Sequence, residues 1–229
     1  MRTIATGLIS LCAVFQAMHL SASAATVPFE ESFATGTSNW KNTASANPTY
    51  VATGGSDGGG YIQTTFAFTS TASTTPVLFR GYDGFDASGD AFVGDWIAED
   101  VTKLTAFVRH NAPQPLSFFT RHASSASFPG AVAVDFVPVL PNTWTKIEFD
   151  TVASSPQFVS FEGSDFPSVF SNIGNVQIGV SKPSALASDT TLYTYELDQV
   201  SIVPEPASWL LALEMAAGGL FWHRSRAAR

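Results

Sequence analysis

The chain has 229 residues and a formal net charge of −8 at pH 7. Between residues 26 and 203, seven lysines and arginines stand against 17 acidic residues, a balance of −10. Such a surface repels phosphate backbones, so the composition excludes binding to nucleic acid.

The first 25 residues have the parts of a secretory signal peptide. Arg2 gives a positive start, residues 4–18 are apolar, and residues 22–24 (Ala-Ser-Ala) offer a cleavage site. Cys12, the single cysteine of the chain, lies in this segment. The sequence therefore predicts an exported protein whose mature form has no disulfide.

Residues 26–203 are predicted to form one domain made of strands. Their short apolar runs alternate with polar residues or are bounded by turn residues, and no long segment has a 3.6-residue period. We therefore predict an all-β fold, an antiparallel β-sandwich of jelly-roll type. The predicted strands are 29–33, 61–68, 77–80, 104–110, 116–122, 131–137, 145–149, 158–162, 176–180 and 192–202.

The connections between these strands also carry predictions. Strands 104–110 and 116–122 are joined by a five-residue loop that contains two prolines, which is typical of a hairpin. The stretches 83–100 and 161–175 are interpreted as long loops or short helices.

Short segments of the domain resemble concanavalin-like and carbohydrate-binding jelly rolls. Residues 29–33 (Phe-Glu-Glu-Ser-Phe) with Trp40 are similar to the first strand of those domains, and residues 197–202 (Leu-Asp-Gln-Val-Ser-Ile) to the last. Residues 142–147 (Asn-Thr-Trp-Thr-Lys-Ile) resemble an edge strand of the same folds. The resemblance implies the fold and names no substrate.

Glu31 and Asp198 are the candidate metal ligands. Side chains two apart on a strand share a face, so Glu31 would point inward with its apolar neighbours, as would Asp198. A buried carboxylate without a partner is costly. The resemblance implies that these two carboxylates hold a structural calcium ion. Asp57, in the flexible Gly-rich loop of residues 54–60, is the weaker candidate for a third ligand. Alternatively, Asp198 pairs with an arginine or caps a turn.

The phase of the last strand complicates this interpretation. In a regular strand, the apolar residues Tyr193, Tyr195 and Leu197 would face one side of the sheet, whereas Val200 and Ile202 would face the other. Both sets can face the core only if a bulge lies near Leu197, which we therefore expect.

Tyr82 and Trp96 are the candidate ligand-binding side chains. Both lie in a polar stretch rich in glycine and aspartate, and an exposed aromatic ring there would stack on a sugar. The alternative is that these rings belong to the core.

The final 27 residues have three successive parts. The motif Val203-Pro204-Glu205-Pro206 interrupts strand formation because proline has no backbone N–H. An apolar run of 16 residues, 207–222, follows it and contains Glu214. A basic end completes the chain, with Arg224, Arg226 and Arg229.

This order of parts resembles the PEP-CTERM sorting signal of Gram-negative bacteria, which an exosortase processes. The resemblance implies that residues 204–229 are a sorting tail, with a membrane helix whose arginines stay on the cytoplasmic side. The run is shorter than the ~20 residues of a full span, and Glu214 disfavours permanent insertion. We expect cleavage near Pro206; the alternative is a permanent anchor.

Catalytic motifs are scarce. The chain has no Gly-x-Ser-x-Gly elbow, and Glu162 and Asp165 lie only three residues apart. We interpret the protein as a non-catalytic protein of the cell surface or extracellular matrix, with a polysaccharide as the candidate partner. The alternative is a secreted polysaccharide-degrading enzyme on the same scaffold.

Overall fold

The structure is a computed structural model that describes residues 24–204. Nearly all of the predicted signal peptide and of the sorting tail, including Glu205, Pro206 and the three tail arginines, therefore lies outside the described residues. Within residues 24–204, no helix is long and apolar enough to cross a membrane.

The described part of the chain is an all-β domain with one short α-helix and four 3-10 turns, as the alternation predicts. In chain order the elements are β1 (Phe29–Glu31), β2 (Lys41–Asn42), β3 (Thr49–Val51), β4 (Tyr61–Phe66), β5 (Val77–Tyr82), β6 (Val101–His110), β7 (Phe118–Ala123), β8 (Gly130–Val134), β9 (Thr145–Asp150), β10 (Phe158–Ser160), α1 (Phe166–Phe170), β11 (Asn175–Val180) and β12 (Tyr193–Pro204). The stretches predicted as loops or short helices contain 3-10 turns at Asp83–Phe85 and Ala87–Asp90, and α1.

The strands form two antiparallel sheets. Sheet 1 has the order β3-β4-β12-β6-β9, with β1 also paired to β12, and sheet 2 has the order β10-β8-β7-β11-β5-β2. The two-layer antiparallel architecture confirms the predicted β-sandwich.

The core between the sheets is rich in aromatic side chains. Trp40, fully buried, makes edge-to-face contacts with Phe33 and Phe92, each with ring centroids 5.9 Å apart. Burying a large apolar side chain contributes about 1.5–3 kcal/mol to folding. The first strand and the loops after β1 and β5 are thus joined to one core.

The central strand of sheet 1 is β12. One edge of it pairs with β6, and the other pairs first with β4, over Tyr193–Leu197, and then with β1. The register to β6 shifts between Asp198 and Ser201, and Gln199 has φ +46°. This irregularity is the bulge expected near Leu197, and it lets Leu197 and Val200 both face the core.

The hairpin predicted between strands 104–110 and 116–122 is wrong. In the structure β6 pairs with β12 and β9 in sheet 1, whereas β7 pairs with β11 and β8 in sheet 2. The loop between them crosses from one sheet to the other. Pro113 and Pro115 have no N–H to donate to a ladder next to the turn, which favours this crossing.

Candidate functional site

The outward face of sheet 2 is the candidate site. On β5, a Cβ atom placed on Gly81 would lie 2.7 Å from the ring of the core residue Trp40, so this position faces inward. Because side chains alternate along a strand, Arg80 and Tyr82 point outward. On β11, Val176 and Ile178 belong to the core, and Gln177 between them points outward.

Four long polar side chains form a row across this face, which we call the polar row. Lys41 of β2 pairs with Arg80, Arg80 pairs with Gln177, and Gln177 pairs with Arg121 of β7. Directly paired residues have Cβ atoms about 4.5–5.5 Å apart on the same side of the sheet. The polar row therefore crosses four adjacent strands.

Arg121 is held in place at one end of the row. Its Nε and Nη2 donate to the two carboxylate oxygens of Glu162, each at 2.6 Å, and Nη2 also donates to the Ser127 carbonyl. These hydrogen bonds lower the pKa of Glu162. The bidentate pair satisfies Arg121 and makes it a fixed boundary of the site.

Arg80 and Gln177, in the middle of the row, lack such partners. Among residues 24–204, Arg80 forms no ion pair, and its Nε is buried without a hydrogen bond. The residue as a whole is half-buried. Gln177 is 6% exposed, and no side-chain hydrogen bond joins its amide to another described residue. A buried donor without a partner, such as Arg80 Nε, costs about 1–3 kcal/mol. The centre of the row is therefore a place where a polar ligand would be stabilised.

Tyr82 lies on the same face, in the row next to Arg80. It pairs with Asn175, which is 4% exposed and whose Oδ1 is buried without a hydrogen bond in the described structure. The half-buried Tyr82 ring contacts Phe85 edge to face, and its hydroxyl donates to the Ser125 carbonyl at 2.9 Å. Lys41 Nζ lies 5.4 Å from the centre of the Phe85 ring. Tyr82 is thus an aromatic neighbour of the polar row.

Trp96 is not at the surface, contrary to the prediction. Its side chain is 1% exposed, its Nε1 donates to the Phe92 carbonyl at 2.8 Å, and its ring packs against His122. Backbone pairing of Gly94 with Ile173 holds this segment against the end of the sandwich and turns Trp96 inward. The ring therefore has no face to offer a ligand.

Glu31 and Asp198 are both buried carboxylates, as predicted. Glu31 accepts hydrogen bonds from Phe33 N and Ser88 Oγ, both at 2.8 Å. Asp198 accepts from Ser56 N at 2.7 Å, from Ser56 Oγ at 2.9 Å and from its neighbour Gln199 N at 2.8 Å. Burial raises the pKa of Asp198. Asp198 therefore caps the Gly-rich loop, which was the alternative interpretation.

The structure brings Asp57 near Asp198 but does not assemble three acids. The charge of Asp57 contributes to the raised pKa of Asp198, and Asp57 itself accepts from Gly59 N at 2.7 Å. A Cβ on Gly55 would lie 2.6 Å from Asp198 Oδ2 and 3.0 Å from the Gly59 and Gly60 carbonyls. Hard oxygen donors of the kind that calcium prefers thus meet at this loop. Within the described residues, no three His, Cys, Asp or Glu side chains form a metal-binding group.

Glu162 and Asp165, the closely spaced acids of the sequence, have other roles. Glu162 holds Arg121, and Asp165 caps the N-terminus of α1 by accepting from Ser168 N at 2.9 Å. Each carboxylate is thus engaged in a local structural contact.

The polar row itself is absent from the sequence-based predictions. Its members come from β2, β5, β7 and β11, and each occupies an ordinary polar position of an alternating strand. Only the strand order and register of sheet 2 bring them together. Lys41 and Arg80 can be recognised as adjacent cations only when that register is known.

Comparisons with known proteins give a likeness of fold. No protein-family model matches the chain, and no curated protein matches it. Among solved structures, the CBM22-1–GH10 modules of the endo-1,4-β-D-xylanase 10B of Clostridium thermocellum, complexed with xylohexaose, superpose with a TM-score of 0.50 and 17% identity. The match covers 78% of this chain and 28% of that chain. The two proteins share a fold.

Two single modules are similar at lower scores. The CBM22-1 xylan-binding domain of Paenibacillus barcinonensis has a TM-score of 0.45 and 15% identity, covering 80% of this chain and 97% of that one. The family 11 carbohydrate-binding module of Clostridium thermocellum, in complex with a mixed-linked tetrasaccharide, has a TM-score of 0.42 and 13% identity, covering 79% and 98%.

Proposed function

We propose that the protein is an exported, non-catalytic protein of the cell surface or extracellular matrix, and that the outward face of sheet 2 binds a glycan. The observation that carries this proposal is the polar row, whose central residues Arg80 and Gln177 are without partners in the described structure. The fold shared with a chain that contains a carbohydrate-binding module supports it.

The chemistry of the face suits a sugar. A sugar presents hydroxyl groups that both donate and accept hydrogen bonds, and the Gln177 amide can do the same. Arg80 adds donors, and the half-buried ring of Tyr82 adds apolar surface beside them. A glycan lying across sheet 2 would thus gain polar contacts at its centre and ring contact at one side.

A pair of glutamine variants tests the proposal. Gln177→Ala removes the central amide of the polar row, whereas Gln63→Ala removes the same group from β4 in sheet 1. Binding of the purified protein to a panel of neutral and acidic polysaccharides is measured by calorimetry. We expect Gln177→Ala to weaken binding by about tenfold, the value of one or two hydrogen bonds. Gln63→Ala should bind like the parent.

Two results would overturn this function. The first is that no polysaccharide of the panel binds the parent protein. The second is that the two glutamine variants bind equally well, because the glycan would then contact another surface.

We further propose that the tail is a sorting signal processed by an exosortase. The order of motif, apolar run and basic end supports this. Val203 and Pro204, the first residues of the motif, are paired with β6 at the end of β12. The motif thus begins within the last strand of the described domain.

A structural calcium ion is a third proposal. The Asp198 carboxylate and the Gly59 and Gly60 carbonyls lie around Gly55, and Asp57 is close to Asp198. These are the oxygen donors that calcium prefers. The ion would neutralise the buried Asp198 and fix the Gly-rich loop. Glu31 is not part of this group of donors, since its carboxylate accepts from Phe33 N and Ser88 Oγ.

A further inference from the structure

Lys41 and Arg80 place two positive charges directly opposite each other on β2 and β5. Neither is in an ion pair within the described part of the chain. Like charges in directly opposed positions of a sheet destabilise it. An anion bound between them would relieve this repulsion.

The other lysines and arginines of the described domain have partners. Each of the remaining five contacts an acidic side chain or backbone carbonyls: Lys103 with Glu148 and Asp150, Arg109 with Glu196, Arg121 with Glu162, Lys146 with Glu148, and Lys182 with the carbonyls of Phe68 and Thr71. In a domain with a balance of −10, two adjacent cations without an acid therefore need an explanation.

Both side chains lie close to the surface of the sheet. The Nε of Arg80 is buried, so the base of its guanidinium lies against the sheet. Lys41 Nζ contacts Asn47 Oδ1 at 2.5 Å and lies over the Phe85 ring. Little conformational freedom is lost when such prepositioned groups bind a ligand.

We propose that the polar row selects an anionic polysaccharide, and that Arg80 and Lys41 bind the carboxylate of a uronic acid. This deepens the glycan binding proposed above and rests on it. The planar fork of an arginine binds a carboxylate through two parallel hydrogen bonds, and a lysine adds a point charge. Gln177, paired with Arg80 on the other side, is placed to bond a neighbouring hydroxyl.

The charge distribution limits where a polyanion can bind. Glu162 neutralises Arg121 at the far end of the row, and Asp83, beyond Tyr82, is hydrogen-bonded to Ser125. The acidic surface elsewhere repels a polyanion. Binding should therefore be confined to the segment around Arg80 and Lys41 and should weaken with added salt.

The test compares two forms of one polysaccharide. Polygalacturonate carries free carboxylates, and its methyl ester has the same sugar chain without the charge. We expect the purified protein to bind polygalacturonate at least about tenfold more tightly than the ester. Arg80→Gln and Lys41→Gln should remove this preference. Lys146→Gln, which makes the same charge change on sheet 1, should retain it.

Three other outcomes would each overturn a proposal. Equal binding of acid and ester, unchanged by Arg80→Gln, would overturn the carboxylate inference and leave glycan binding standing. Equal binding of dextran sulfate and polygalacturonate would show a general polyanion site and also overturn it. Binding of no glycan at all would overturn the proposed function itself. Thermal melts verify that each variant folds. If Arg80→Gln does not fold, Lys41→Gln alone tests the carboxylate inference.

Discussion

The imidazole of His122 packs against the indole of Trp96, with ring centroids 5.0 Å apart and planes at 68°. Phe170 covers the imidazole at the same centroid distance. His122 is fully buried, and neither ring nitrogen has a hydrogen-bond partner among residues 24–204. Burial lowers the pKa of His122 to about 3, so the folded protein holds it neutral.

This histidine should make the domain sensitive to mild acid. As pH falls below about 6.5, the unfolded chain takes up a proton at His122 that the folded chain does not, and stability falls by about 1.4 kcal/mol per pH unit. The loss continues until the pH reaches the folded pKa. Between pH 7 and pH 5 we expect a loss of about 2 kcal/mol from this residue, measured by urea unfolding.

The control is His122→Phe, which fills the same aromatic site without a titratable group. It should lose less stability than the parent over the same interval. His110, whose pKa burial also lowers, remains in both proteins, and so do the carboxylates. Identical losses in parent and variant would contradict the assignment to His122.

A second prediction concerns the packing below Arg80. Gly81→Ala places a methyl group 2.7 Å from the buried Trp40 ring, which cannot move away. Overpacking of this kind costs about 1–3 kcal/mol. Gly36→Ala is the matched control, because no atom lies within 4 Å of its Cβ. If chemical denaturation gives the two variants the same stability, the inward orientation of residue 81 is incorrect.

A third prediction concerns calcium. If Asp198 holds the ion, calcium at about a hundredfold excess over its Kd should raise the free energy of unfolding by about 2.7 kcal/mol relative to chelator. Asp198→Asn should abolish the difference. Asp150→Asn, an exposed aspartate of β9, should preserve it. A melting temperature that is the same in calcium and in chelator would show that no calcium ion stabilises the fold.

A fourth prediction concerns the tail. Mass spectrometry of the protein from its native host should find a C-terminus near Pro206. Replacing Glu205 and Pro206 with alanine should leave the uncut form in the inner-membrane fraction, because the protease would no longer recognise the motif. Mature protein that still ends at Arg229 would show a permanent anchor instead.

Sequence patterns located most strands because their inward sides are continuously apolar. The runs 176–180 and 145–149, for example, lie within β11 (Asn175–Val180) and β9 (Thr145–Asp150). The strands β2 and β3 have two and three residues, too few for any period to show. The phase conflict in 192–202 correctly placed a bulge because both halves of that strand must bury apolar side chains.

Pairing between strands could not be predicted in the same way. Proximity in sequence favoured a hairpin for 104–110 and 116–122, but the two strands belong to different sheets. Likewise, Trp96 is buried although it lies in a stretch rich in glycine and aspartate, and its apolar neighbour Ile97 is exposed. The polar row depends on register across four strands, and no local pattern encodes that register.

The position of β12 has a consequence for the timing of folding. The strand that is synthesised last in the described domain lies between β4 and β6, which are made much earlier. Sheet 1 therefore cannot close until residues 193–204 are available, and its contacts are of long sequence separation, which slows folding. Sheet 1 is therefore incomplete while most of the chain is being synthesised. On the export route proposed above, the domain would acquire its stable form only after all of it has passed through the membrane.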